Sequence, residues 1–264
     1  MTERGPEHSD AHATYVFAVC RNPDPSAFVG LPGVADEAPV SILPLETLTA
    51  IVQKVRARDF TDEAWQARLS DQRELERYAR AHHDVVTAAA ACCPTVPLPL
   101  ATLYHDEQRA GDALTNEANR FHAALRRIAH HAEWGVKVYA PPCPPDDSSR
   151  RARAGRPAPG AGLAYLERKR GVQERRDQSQ DEALQVAGTV DSEVRLLATA
   201  ARRLRPHAPQ LSGERRIQVL NATYLVAEQR ADELALLTQS LRARTGVEIE
   251  LSGPWVPYSF IGEV

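Results

Sequence analysis

Apolar positions change their period several times along the chain, and each change marks an element. Thr14 to Cys20 is rich in aromatic and β-branched residues and predicts a strand. A Pro/Gly loop follows from Asn22 to Gly33. Pro39 to Leu45 and Leu48 to Val55 predict two further strands, although Leu48, Ile51, Val52 and Val55 also fit a helical period. From Asp71 to Cys93 the stripe Leu75, Tyr78, Ala79, His82, Val85, Val86 and Ala89 predicts a helix that Pro94 stops. Val96 to Tyr104 is apolar but carries Pro97 and Pro99, the signature of an edge or irregular strand. Asp106 to Ala132 predicts a second helix with Leu114, Ala118, Phe121, Leu125 and Ile128 on its buried face, and Trp134 to Tyr139 a strand.

Pro141 to Gly162 breaks the pattern. Six prolines, three glycines and four arginines with no apolar period read as a linker or exposed loop. Leu163 to about Leu204 is mostly helical. Ala183, Ala187, Val190, Val194, Leu197, Ala201 and Leu204 alternate spacings of four and three, a heptad-like seam. That seam suits either packing along another helix or an amphipathic helix laid on its own sheet. Ile217 to Val226 predicts a strand, Arg230 to Thr245 a helix ended by Gly246, and Val247 to Leu251 a strand.

Strands flanking helices on both sides of the break predict an α+β protein of two domains: an N-terminal ferredoxin-like sandwich and a C-terminal α+β domain with a long helix. The expected boundaries are a disordered N-terminus over 1–12, domains over 13–140 and 163–252 joined by the linker 141–162, and an aromatic tail over 253–264.

Composition narrows the class. The 264 residues are 43% hydrophobic with a net charge of −3, ordinary for a globular protein and without general attraction to nucleic acid or anionic lipid. No apolar run approaches the roughly 18–20 residues that span a bilayer, and no signal peptide is visible. Cys20, Cys92, Cys93 and Cys143 read as reduced thiols in a cytoplasm. Locally the charge differs: nine cations from Arg150 to Arg176, against Glu167 and Glu174, leave +7 over residues 148–176. Such a run suits protein contact or plain solubility better than RNA, because the predicted strands carry no stacking platform of aromatics and the domain is not basic overall.

No pattern specifies catalysis. There is no G-x-S-x-G, no phosphate-cradling glycine loop and no H-E-x-x-H. His82-His83 and His130-His131 invite a metal, but neighbouring helical residues point about 100° apart and each pair supplies at most one ligand to a centre. Tyr104, Tyr165 and Tyr224 lie in apolar stretches and read as core. No catalytic residue, metal or cofactor is therefore assigned.

The tail is the most specific stretch. Gly253-Pro254-Trp255-Val256-Pro257-Tyr258-Ser259-Phe260 places three of the fifteen aromatics in eight residues, between prolines that fix an extended backbone. Trp255, Tyr258 and Phe260 read as a docking tail that packs back across the domains, with Phe260 and Ile261 the candidates for a lesser role at a partner surface. The stretch resembles the G-P-W-P-P-Y-S-F signature of the gas vesicle GvpF/GvpL family. His82-His83-Asp84-Val85-Val86, Val96 to Tyr104, Glu133-Trp134-Gly135-Val136-Lys137-Val138, Gly162-Leu163-Ala164-Tyr165-Leu166 and Leu220 to Val226 resemble further family segments in the same order. Pro99-Leu100-Ala101 stands where many members carry Arg-Phe-Gly, so a role of that Arg does not carry over; whether the chain is GvpF-like or GvpL-like stays open.

The resemblance implies the same two-domain fold and a non-enzymatic role in building gas vesicles, the gas-filled protein shells that give cells buoyancy. Its implied partners are the small hydrophobic shell protein GvpA and other gas vesicle accessory proteins, with no nucleic acid and no membrane, and its implied location is the gas vesicle in the cytoplasm. Leu98, Leu100, Leu103 and Tyr104, on the proline-interrupted edge, are the candidate partner-binding residues, either covering an apolar face of the shell protein or offering a strand edge. Two other readings stay open: a haem or small-ligand binder using His82, His83, His130 or His131, and an RNA-binding module using the arginine run.

Overall fold

The computed structural model describes residues 11–140, 161–205 and 217–262. They form two units: one extends to His131 and resumes at Val256, and the other spans Ala132 to Trp255.

In the first unit β1 (His12–Cys20), β2 (Val40–Pro44) and β3 (Thr49–Arg56) precede the helices α1 (Asp62–Ser70) and α2 (Gln72–Cys92). The short strands β4 (Thr95–Pro97) and β5 (Leu103–Tyr104) follow, then α3 (Glu107–Asn116) and α4 (Ala118–Ile128). The sheet order is β2-β3-β1-β4, with β5 also paired to β1. β1 is buried from Thr14 onward because both its faces are covered, which is why it reads as a nearly continuous apolar run. Tyr15 and Phe17 pack with Tyr78, Val85 and Val86 of α2. Val16 and Val19 pack with Leu114, Phe121 and Leu125 of α3 and α4. A register shift against β3 between Val16 and Ala18 slips the alternation, so Phe17, Ala18 and Cys20 all belong to the α2 side.

Asp71 caps α2, its side chain accepting from the backbone N–H of Arg73 and Glu74, and Cys93-Pro94 ends it in extended backbone. The single helix expected over Asp106–Ala132 is instead two. Glu117 leaves helical geometry between them, beside the weak helix formers Thr115 and Asn116, and α4 stops at Ile128. Ala129 then turns extended and His130 adopts a positive φ of 60°.

The second unit is the series β6 (His131–Tyr139), α5 (Ala161–Arg195), β7 (Ala198–Arg203), β8 (Gln218–Ala227), α6 (Ala231–Thr245) and β9 (Glu248–Trp255). Its sheet order, β7-β8-β6-β9, repeats that of the first sheet. This β-α-β-β-α-β series in that order is the complete ferredoxin-like arrangement. In the first unit a loop with one short 3-10 turn, Pro25–Phe28, stands between β1 and β2 where the second unit has α5. β6 sits between β8 and β9, so the division between units falls at His131/Ala132 and not near residue 140.

Ala183, Ala187, Val190 and Val194 of α5 are buried against Val136, Val138, Leu220 and Tyr224, so the seam lies on its own sheet. It does not run on to Leu204 as a helix. Leu196 and Leu197 turn the chain, and Ala198 to Arg203 pair with β8, the ladder outweighing the helix preference of the alanines. Gly246, at φ 66°, ends α6 in the left-handed conformation expected of a helix terminus. Of the expected linker, 141–160 lie outside the described residues and Ala161-Gly162 begin α5; residues 1–10 of the expected N-terminal segment also lie outside.

The tail divides. β9 extends through Trp255, which pairs with Glu133 and is 51% exposed. Val256 and Phe260 are buried in the first unit, Val256 within the cluster that holds Tyr15 and Val85, and Ile261 packs against the α3–α4 cluster.

Candidate functional site

The four candidate residues sit on one margin of the first sheet. The Leu98 N–H donates to Phe17 O at 2.9 Å, which turns Leu98 toward β1. Positions 97 and 99 therefore face their backbone outward, and both are proline, so the margin offers no N–H there. The Pro99 carbonyl already accepts from the Thr102 N–H at 3.2 Å and the Thr102 hydroxyl at 2.7 Å. This margin is blunted against strand addition. What it presents is side chains: Leu98, Leu100, Leu103 and Tyr104 are each half-buried. Leu98 and Tyr104 rest on the α3–α4 cluster and Leu103 on the α2 cluster.

A buried polar relay holds this segment in place. The Ala101 N–H donates to Tyr15 Oη at 3.1 Å, and Tyr15 Oη lies 2.9 Å from His82 Nδ1. With its oxygen accepting from Ala101, the Tyr15 hydroxyl donates to Nδ1, and the ring proton of His82 sits on Nε2, on the side of the Leu98 backbone. Burial pushes His82 down to about 4 and holds Tyr15 far above the usual phenol range. Ala101 itself has φ 63°, a conformation suited to the glycine that many members of the resembled family carry there.

The other histidines do not converge on His82. The His83 ring lies 6.2 Å, centroid to centroid, from that of Tyr258, and His131 Nδ1 is 2.7 Å from Ala129 O. His122 bridges Arg21, at 2.9 Å, and Thr47, at 2.8 Å. Among the described residues no group of three or more His, Cys, Asp or Glu is placed to hold a metal ion. No helix of the described residues is long and apolar enough to cross a membrane. Of the arginine run, Arg150, Arg151, Arg153 and Arg156 lie outside the described residues; Arg168 to Arg176 fall on α5, where Arg170 is exposed.

Sequence reasoning missed three arrangements that join distant residues. Gln53, fully buried, receives the Val34 N–H at Oε1 and shares the two N–H groups of Nε2 among the Pro32, Ala35 and Ala38 carbonyls, clamping the loop before β2. Asp191 gathers Tyr224, Arg203 and Arg195. Cys20 and Cys93 meet at the end of α2. The visible signals were slight: a Gln in an apolar strand, an Asp on the seam of α5, and a Cys beside a helix-stopping proline.

A sequence model of the family described as gas vesicle synthesis protein GvpL/GvpF matches residues 13–262. The chain belongs to this gas vesicle family. It is 35% identical over 248 residues to gas vesicle protein L of Streptomyces sp. strain CB03234, covering 94% of this chain and 92% of that one. Two crystal structures share the fold. Gas vesicle protein GvpF from Anabaena sp. PCC7120 superposes with a TM-score of 0.66 at 12% identity, over 96% of this chain and 97% of that chain. GvpF from Microcystis aeruginosa gives 0.61 at 14% identity, over 95% and 99%.

Proposed function

We propose that the protein is a non-enzymatic accessory factor of gas vesicle formation that binds the shell protein GvpA, acting in the cytoplasm and at the gas vesicle. The observation that carries this reading is the match, across nearly the whole chain, to a family named for gas vesicle synthesis. The margin Leu98–Tyr104 is its binding surface. Apolar side chains there are half-exposed on a backbone without outward donors at 97 and 99, which favours covering an apolar face of the shell subunit over extending its sheet.

The test is a binding titration of the purified chain against GvpA of the same host. The expected result is direct binding that Leu100→Glu and Leu103→Glu each weaken at least tenfold, with unfolding midpoints close to the parent. Unchanged binding in both variants overturns the surface. Absence of binding to GvpA overturns the function.

A further inference from the structure

We propose that Cys20 and Cys93 are a redox-responsive thiol pair, which a hydroperoxide oxidises to an intramolecular disulfide joining the end of β1 to the C-terminus of α2.

The fold builds this pair from residues far apart in sequence. The slip in β1 turns Cys20 to the α2 side, and Cys20 lies directly across the ladder from Thr95. Cys93 is extended at φ −160°, ψ 159°, two residues before Thr95, which places it on the same face one diagonal away. Both sulfurs belong to the α2-side cluster, Cys20 wholly buried and Cys93 half-exposed at its margin. With both thiols neutral, Cys20 donates to Thr49 O at 3.7 Å; Cys20 and the Arg21 backbone N–H are the donors that favour an anion at Cys93, and Thr95 Oγ1 lies 3.8 Å from the Cys93 sulfur.

The two thiols are unequal. The hydrogen bond from Cys20, opposed by burial and aided by Thr95 and Arg21, draws Cys93 below the usual thiol range. The same contact, with burial, pushes Cys20 up. The carbonyls ending α2 disfavour an anion at Cys93, and the converging donors offset them. When Cys93 is neutral, its S–H has Ala89 O as acceptor at 3.7 Å. Cys93 is thus the accessible nucleophile and Cys20 the protonated partner behind it. Cys92 is exposed on the last turn of α2 and bonds Ala88 O.

The chemistry closes with hydrogen peroxide as oxidant. The Cys93 thiolate attacks one oxygen; the S–O bond forms, the O–O bond breaks, and hydroxide leaves and takes a proton to become water. The Cys20 sulfur then attacks the Cys93 sulfur. The S–S bond forms, the S–O bond breaks, and the second hydroxide leaves as water with the Cys20 proton. The two sulfurs together lose two electrons and the peroxide gains them. Diagonal Cα atoms about 7–8 Å apart must approach to within about 6.8 Å to be bridged, so closure draws the Cys93-Pro94 segment toward β1.

The experiment uses the full chain carrying Cys92→Ser and Cys143→Ser, treated with hydrogen peroxide, blocked with N-ethylmaleimide and digested with trypsin without reductant. The expected result is a linked peptide joining 5–21 to 81–109 and short of two hydrogens, with maleimide labelling lost at both cysteines and restored by dithiothreitol. Cys93→Ser abolishes the link. Cys20→Ala, checked for native circular dichroism, stops Cys93 at the sulfenic acid, trapped with dimedone. Free labelling of both thiols after peroxide overturns the proposal, as does sulfinic acid at Cys93 with Cys20 still labelled.

Discussion

The Tyr224 hydroxyl donates to Asp191 Oδ1 at 2.6 Å, joining the middle of β8 to the buried seam of α5. Arg203 of β7 donates to the other oxygen at 2.6 and 3.1 Å, and Arg195 to Oδ1 at 3.1 Å. The Asp191 side chain is 5% exposed while its arginines reach solvent, so one carboxylate ties a helix to two strands. Tyr224→Phe removes a hydrogen bond to a charged group and should cost about 1.5–3 kcal/mol, read by urea unfolding at neutral pH.

Asp191 also sets an acid limit. Burial alone raises its pKa, but the bonds from Tyr224, Arg203 and Arg195 win and hold it below the ordinary carboxylate value. A depressed carboxylate contributes stability that is present above its unfolded value of about 4 and is lost as pH falls through its folded value. Asp191→Asn should lower stability at pH 7 and flatten the acid limb below about pH 4. An acid limb as steep as the parent's would contradict this.

His82 acts over a different window. Its folded pKa of about 4 lies below the unfolded value of about 6.5, so on acidification the unfolded chain takes up a proton that the folded protein refuses. The contribution is unfavourable and grows as pH falls from about 6.5 to 4. Between pH 7 and 4.5 it should remove about 2–3 kcal/mol of stability. His82→Gln should abolish that slope, measured by denaturant midpoints across the range.

Ala101 holds φ 63°, where a Cβ crowds the following carbonyl. Ala101→Gly relieves this and loses some unfolded-state restriction, for a net gain of about 0.5–1 kcal/mol. The bond from the 101 N–H to Tyr15 should survive, and the melting temperature should rise by a few degrees.

Gly33 is the opposite case. It has φ 64°, and a Cβ there would collide with Gln53 Oε1. Gln53 cannot swing away without abandoning Val34 N–H and three carbonyls. Gly33→Ala should cost about 2–4 kcal/mol, combining strain and overpacking, as measured by chemical unfolding.

Much of this architecture was legible because local signals agreed with tertiary demand. Asp71 and Pro94 bracket α2 in the sequence as they do in space. The α5 seam was visible from spacing alone, but its end was not: Ala198 to Arg203 are strand only because β8 is there to pair them. The break between α3 and α4 leaves no proline or glycine to announce it. Pro97 and Pro99 marked the sheet margin, yet that both face outward followed only from the Leu98–Phe17 bond. The two sulfurs were unreadable as a pair because a slip in β1, rather than any spacing, turns Cys20 toward α2.

The chain leaves the first unit at His131, builds the whole second unit, and returns at Val256 to fill a place beside Tyr15 and Val85. The two units are therefore completed along the chain in an order opposite to their starts. All strands of the second sheet precede Val256 and Phe260, whereas the first unit needs those two residues to complete its interior. A chain cut after Trp255 would keep every strand of the second sheet and leave the N-terminal core open at one place.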